Sequence, residues 1–287
     1  MTNNRREYEN KPLKPPKQTD IAFFAYGIFK PGQIAYSRIK DCVNKYYGCE
    51  IDYKMLMRDG VPLIVPSRSK GRNKTRGYLI YFNEEDCEEA YDIISKTHYE
   101  KLYKWEEIKV GENKANVLMG FNPEMGSSPI GGKEGDYDGR NDPYFIEAIE
   151  VVENELNDEN KRWHSINDFF KLQMSYLLLW VAIERYCSLK YDKRYSKINQ
   201  LSREDLFKKS LKKHFTSERT VYSADDLKNY TLNSEKPYDS IHYYYTIRCN
   251  VAHRGKALYN DDELIRQSLK ELLGIFKDIL NESFDET

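Results

Sequence analysis

The chain reads as an α+β N-terminal domain joined to an all-α C-terminal helical bundle, and three features predict it. Short apolar runs fill the first part, three- and four-residue periodicity dominates the last, and a Gly- and Pro-rich stretch at 120–143 parts them. A length of 287 residues fits two domains of about 100–200 residues each. Hydrophobic residues make up 40% of the chain and Tyr occurs 24 times, enough for packed cores, which excludes wholesale disorder. The net charge of −1 excludes no class of partner. Five cysteines (Cys42, Cys49, Cys87, Cys187, Cys249) with no C-x-x-C pair argue against a disulfide framework or a zinc site and suit a reducing cytoplasm. The polar N-terminus shows no signal peptide, and the longest apolar run, 176–183, falls short of the ~20 residues of a membrane span. A cytoplasmic protein without membrane contact is expected.

Residues 1–20 carry Arg5, Arg6, Lys11, Lys14 and Lys17 among Pro12, Pro15 and Pro16, with little to bury. A flexible arm is expected, its cations suited to solvent or to nucleic acid. The run 21–27 (IAFFAYG) is a buried strand by length and composition. After a turn at 30–33, the spacing over 34–46 predicts an amphipathic helix. Further strands are expected at 53–57, 61–65, 77–82, 106–110 and 115–119. Between them 83–95 is helical, with Asn83 as N-cap and acids from Glu84 to Glu89 at its positive end. Strands with two inserted helices make a small mixed barrel over 21–121. Within it Arg68, Lys70, Arg72, Lys74 and Arg76 alternate strictly, and 61–83 holds no acidic residue. In extended chain that alternation sets five cations on one face, which suits an RNA phosphate backbone. Gly71 and Asn73 suit a mobile basic hairpin tip equally well.

The linker is placed at 122–141. The stretch 120–143 holds six of the 15 Gly with Pro123, Pro129 and Pro143, and no helix opening on Lys-Ser/Thr follows, which excludes a P-loop. From 142 to 287 the chain is helical. Helices are expected at 144–156 and 165–189, and 174–183 is apolar nearly all round, so burial on every side is expected, in a bundle centre or a dimer interface. Glu184 ends that stretch beside Arg185, placed to face the Arg248 guanidinium as a structural salt bridge or to tune the site. A short helix at 203–215 carries Arg203, Lys208, Lys209, Lys212 and Lys213, a face for solvent or for RNA. Residues 216–237 are polar and expected to be irregular. The stripe Leu264, Ile265, Leu269, Leu272, Leu273, Phe276, Ile279 and Leu280 makes 261–284 a core helix.

The richest stretch is 238–255, YDSIHYYYTIRCNVAHRG. Asp239 suits a helix start and Gly255 a helix end. The last two turns crowd Arg248, Asn250 and His253 around Cys249. A permanent cation, an amide and an imidazole suit chemistry on a phosphate diester: the first stabilises developing charge, the second orients, the third moves the proton. Residues five apart point roughly 140° away from each other on a straight helix. Arg248 and His253 therefore do not adjoin, whereas Asn250 and His253 do. Either the Arg side chain curls round, or a second copy across a two-fold axis completes the site. The ordinary alternative pairs Arg248 with a carboxylate and leaves His253 as a helix cap.

Arg248-Cys249-Asn250-Val251-Ala252-His253, followed by Arg254-Gly255-Lys256, resembles the R-x4-H signature of HEPN domains, and the resemblance extends over 142–284. These are all-helical, usually dimeric modules, many of them metal-independent endoribonucleases. The resemblance implies a homodimer acting on RNA, with His253 as general acid or base, Arg248 as transition-state stabiliser and Asn250 as orienter; Glu184 and Cys249, which the family pattern does not supply, are expected beside them as supporting residues. It implies neither metal nor cofactor. The implied reaction is attack of a ribose 2′-OH on the adjacent phosphodiester, leaving a cyclic phosphate and a 5′-OH, in a prokaryotic toxin or antiphage defence effector. Cys249 stands where the family commonly has a polar residue, so a non-catalytic dimeric adaptor remains the rival reading.

Phe24-Ala25-Tyr26-Gly27-Ile28-Phe29 resembles the Tyr-Gly-(Ser/Thr)-Leu loop of gamma-glutamylcyclotransferase-like folds. Asp59-Gly60-Val61-Pro62, Arg76-Gly77-Tyr78-Leu79-Ile80-Tyr81 and Leu102-Tyr103-Lys104-Trp105 follow in that family's order, over 21–121. The resemblance implies a pocket at Tyr26, Gly27, Ile28, Phe29 and Ser95. Ser95 stands where active members carry the general-base Glu, and without that carboxylate cyclisation is very slow. The expected role is binding or sensing of a small-molecule or protein trigger, with an active cyclotransferase as the remaining alternative.

Overall fold

Ala22–Ala25 (β1), buried along its whole length, is the strand around which the first part of the chain forms. The computed structural model describes residues 11–58, 60–67, 73–123, 128–129, 135–157, 166–191, 196–223, 228–254 and 261–284, without the side chains of 128, 129, 253 and 254. Contacts divide the chain into two units, Met1–Gly139 and Arg140–Glu286.

In the first unit β1 is followed by β2 (Val43–Ile51), β3 (Tyr53–Arg58), β4 (Val61–Pro66), β5 (Thr75–Phe82), helix α1 (Cys87–Thr97), β6 (Tyr103–Val110), β7 (Asn113–Gly120) and β8 (Ser128–Pro129). The sheet runs β2-β5-β1-β7-β4-β3-β8, with β6 also on β7. Among the described strand pairs β1–β7 and β4–β7 are parallel and the rest antiparallel, so the sheet is mixed, and it curls into a half-barrel. Phe24, Leu63, Ile64, Ile80 and Val117 fill it. Tyr91 of α1 covers Phe23, Phe82 and Trp105 edge to face. Gly77 is where β5 passes closest to β1: a Cβ there would sit 2.5 Å from the Ala25 carbonyl oxygen.

The helix expected at 34–46 does not form. Ile34, Ala35, Tyr36, Ile39 and Cys42 are buried through two 3₁₀ turns, Tyr36–Arg38 and Lys40–Cys42, and the chain then enters β2. Valine, tyrosines and isoleucine in Val43–Ile51 favour extended chain, and the β5 edge supplies the partner. The arm is held from Lys11 onward: Leu13 N–H donates to His98 O, Glu100 N–H to Lys11 O, and Asn116 Nδ2 to Gln18 O. The Gly-rich stretch also returns to the first unit. Pro129 and Ser128 pair with Leu56 and Met57, and Lys30 Nζ donates to Asp136 Oδ1 at 2.6 Å and Tyr137 O at 2.7 Å.

The second unit contains α2 (Pro143–Asn157), α3 (Ile166–Lys190), α4 (Lys197–Leu201), α5 (Asp205–His214), the hairpin β9 (Arg219–Tyr222) and β10 (Asn229–Leu232), α6 (Pro237–Arg254) and α7 (Asp262–Ser283). Trp180, Tyr176, Tyr244, Leu272 and Phe276 form its core. The hairpin replaces the irregular segment expected at 216–237. Val221 and Leu232 bury one side of it. Arg219 clamps its start onto Glu271 of α7, a carboxylate only 3% exposed that also accepts from Tyr244 Oη at 3.0 Å. Nor is 174–183 buried all round: Met174 is 63% and Val181 47% exposed. Those positions lie on the face of α3 that the described residues of its own bundle leave exposed.

Candidate functional site

Helix α6 begins with Pro237, whose missing N–H costs nothing in the first turn, and carries Asp239 at its positive end. Ser240 Oγ donates to Asn233 O at 2.6 Å and accepts from Asn233 N–H at 2.9 Å, tying that start to the preceding turn. Ile241, Tyr243, Tyr244, Ile247 and Val251 are buried, which fixes how the helix is rotated in the bundle. That rotation decides where the polar residues of the last two turns face.

Arg248 faces α3. One guanidinium nitrogen lies 3.4 Å from Glu184 Oε1, and the guanidinium stands over the Tyr245 ring at 5.5 Å. Tyr245 is in turn packed edge to face against Trp180 at 5.4 Å. Burial, reinforced by Cys249, raises the Tyr245 hydroxyl above its ordinary value, while Arg248 pulls it down. The ion pair between Glu184 and Arg248 expected from sequence is therefore present, on an aromatic shelf. One residue along, Arg185 binds Asp142 at 2.8 Å and stacks over Tyr144 at 4.7 Å. Asp142 is fully buried and also accepts from Tyr144 N–H, so it bolts the start of α2 to the end of α3. Burial raises its carboxyl pKa, with Arg185 opposing the shift.

Asn250 faces the other way. Its Nδ2 donates to Tyr222 O of β9 at 2.9 Å. Residues two apart on a helix diverge by roughly 160°, so one copy of the chain does not bring Arg248 and Asn250 together. Cys249 is half-buried between them. His253 stands in the last turn of α6, and its side chain lies outside the described residues.

The basic faces are largely matched by carboxylates. Lys208 pairs with Asp205, Lys209 with Glu282, Lys212 with Glu235 and Lys213 with Asp278. Lys74 and Arg76 share Glu50 at 3.1 and 3.0 Å, because the β2–β5 register sets Glu50 opposite Arg76. The acid missing from the local sequence thus arrives from another strand. Arg68, Lys70 and Arg72 lie outside the described residues. In the first unit Tyr26, Ile28, Phe29 and Ser95 are all buried, with Gly27 against Pro62. Tyr26 Oη donates to Leu118 O at 2.6 Å, and Ser95 Oγ accepts from Trp105 Nε1 at 3.2 Å.

Sequence reasoning did not single out Tyr245 and Trp180 as the shelf for Arg248, or Tyr222 as the partner of Asn250. The three-residue step from Tyr245 to Arg248 was the one available signal; the others depend on which elements meet. Among the described residues no helix is long and apolar enough to cross a membrane, and no group of three or more His, Cys, Asp or Glu is placed to hold a metal. The chain matches no protein-family model, no curated protein and no solved structure.

Proposed function

We propose that the chain is a metal-independent endoribonuclease of the HEPN type, working as a homodimer, with the first unit as a sensing or regulatory module. A prokaryotic toxin or antiphage effector is the corresponding biology. The observation that carries this reading is the outer face of α3. Phe170, Met174, Leu177, Val181 and Glu184 follow one another at four- and three-residue steps, and the three largest exposures along them are 53%, 63% and 47%. That is the spacing of a helix–helix seam, and among the described residues of the second unit no element buries Met174 or Val181. The seam ends on Glu184, which touches Arg248. A second α3 packed parallel to the first on this face would set both copies' Glu184, and with them Arg248 and the α6 C-termini, at the same end of the seam. There Arg248 would stabilise charge on the phosphate, and His253 would exchange the proton with the 2′-OH or the leaving 5′-oxygen.

A second reading, a non-catalytic dimeric adaptor, is favoured by one observation: Arg248 and Asn250 already hold partners, Glu184 and the Tyr222 carbonyl. Incubating wild type and His253→Ala with total RNA and mapping the ends separates the two. Cyclic-phosphate ends made only by wild type support the nuclease; intact RNA in both samples supports the adaptor. Ser95 stands where a general-base carboxylate would be needed, which disfavours cyclisation by the first unit, and release of 5-oxoproline from gamma-glutamyl substrates would reverse that view.

A further inference from the structure

Arg248 is held by two contacts of different kinds. Its guanidinium stands over the Tyr245 ring at 5.5 Å, and one of its nitrogens lies 3.4 Å from Glu184 Oε1. The ring is itself fixed, because Tyr245 packs edge to face against Trp180, which is only 1% exposed in the bundle core. Residues three apart share a helix face, so α6 itself sets the ring beside the cation. The carboxylate is the looser partner. Its distance of 3.4 Å exceeds the roughly 2.7–2.9 Å of a charge-assisted hydrogen bond, and the Glu184 side chain is 43% exposed.

An aromatic face attracts a cation as a whole, whereas an acceptor oxygen takes up one N–H group at a time. The ring therefore anchors the guanidinium without using the donors that a phosphate needs, and Glu184 marks the side from which an anion meets them. Burial raises the Tyr245 hydroxyl above its ordinary value, so it adds no competing base at neutral pH. We infer that Tyr245 is a positioning residue for RNA cleavage: its ring keeps Arg248 aimed toward α3, while the Glu184 contact yields to the scissile phosphate. The inference rests on the endoribonuclease reading and deepens it, from the group that stabilises charge to the one that aims it.

The test is steady-state cleavage of a labelled oligoribonucleotide by full-length wild type, Tyr245→Phe and Tyr245→Leu. Leucine keeps an apolar contact with Trp180 but has no π face. Tyr245→Phe should stay within about twofold of wild type, and Tyr245→Leu should lower kcat and kcat/KM alike by about tenfold. On an Arg248→Ala background Tyr245→Leu should change nothing further, whereas a loss of folded protein would persist there. Wild-type rates in Tyr245→Leu, equal losses in both variants, or an undiminished loss on the Arg248→Ala background overturns the inference. The two readings fail separately. If wild type leaves RNA intact, the nuclease reading falls, and the Arg248 Nε–H resonance of protein carrying isotope-labelled arginine still decides the role of the ring. A ring-current shift present in wild type and Tyr245→Phe but lost in Tyr245→Leu supports positioning; a resonance unchanged in Tyr245→Leu refutes it.

Discussion

Arg248 on α6 and Glu184 on α3 meet at 3.4 Å with the guanidinium also over Tyr245, so the cation is held in place while remaining partly open to solvent. A half-exposed pair of this kind contributes about 0–1 kcal/mol to stability. Arg248→Ala is therefore expected to leave the melting temperature nearly unchanged while lowering RNA cleavage by about 100-fold or more. Glu184→Gln removes the competing carboxylate and should tighten RNA binding at low salt. An Arg248→Ala protein that still cleaves at the wild-type rate sinks the site assignment.

The seam on α3 makes a prediction about mass. Met174→Asp combined with Val181→Asp places carboxylates in the proposed interface but on positions already exposed in one copy. Sedimentation velocity should show wild type as a dimer and the double variant as a helical monomer. A monomeric wild type would remove the basis for a shared groove.

Glu271 and Arg219 form the buried clamp of the hairpin. Arg219→Ala leaves the nearly inaccessible Glu271 carboxylate without its cation, still accepting from Tyr244 Oη and Thr216, and urea denaturation should show a loss of about 3 kcal/mol. Replacing both partners, Arg219→Met with Glu271→Leu, should cost less than the single change. A double variant less stable than Arg219→Ala would contradict the argument.

His242 sets a pH dependence. Its Nε2 lies 2.9 Å from Asn199 Oδ1 and its ring is packed between Tyr230 and Tyr238. Burial lowers its pKa below the ordinary 6.5, only partly offset by Asp239. The unfolded chain then binds more protons than the folded one as pH falls below 6.5, so this contribution is present above 6.5 and is lost on acidification. The second unit should melt at lower temperature at pH 5.5 than at pH 7.5, and His242→Gln should flatten that slope.

Gly77 tests the half-barrel. The Cβ of Gly77→Ala would meet the Ala25 carbonyl at 2.5 Å and the Phe24 ring at 2.6 Å, both fixed in the sheet. A loss of roughly 1–3 kcal/mol is expected, read as a lower denaturation midpoint of the first unit. Unchanged stability would mean that β1 and β5 are not so closely apposed.

Much of this architecture was legible along the chain, because it follows from local composition. The apolar runs that became β1, β4, β5 and β7, the periodicity of α3, α6 and α7, and the polarity change near residue 140 need only nearest neighbours to be expressed. The pairing of Glu184 with Arg248 was also visible, as complementary charges on two strongly periodic helices. Strand β2 and the β9–β10 hairpin were not, since their residues suit extended chain only once β5 or α7 offers a partner. The apolar turns of α3 read alike whether buried or exposed; only packing decides which face the bundle leaves uncovered. The same holds for Asn250 and Arg248, two residues apart in the chain and on opposite sides of α6. Sequence determined that these groups share one helix end, and the rotation of that helix against α3 and β9 decided that they serve different surfaces.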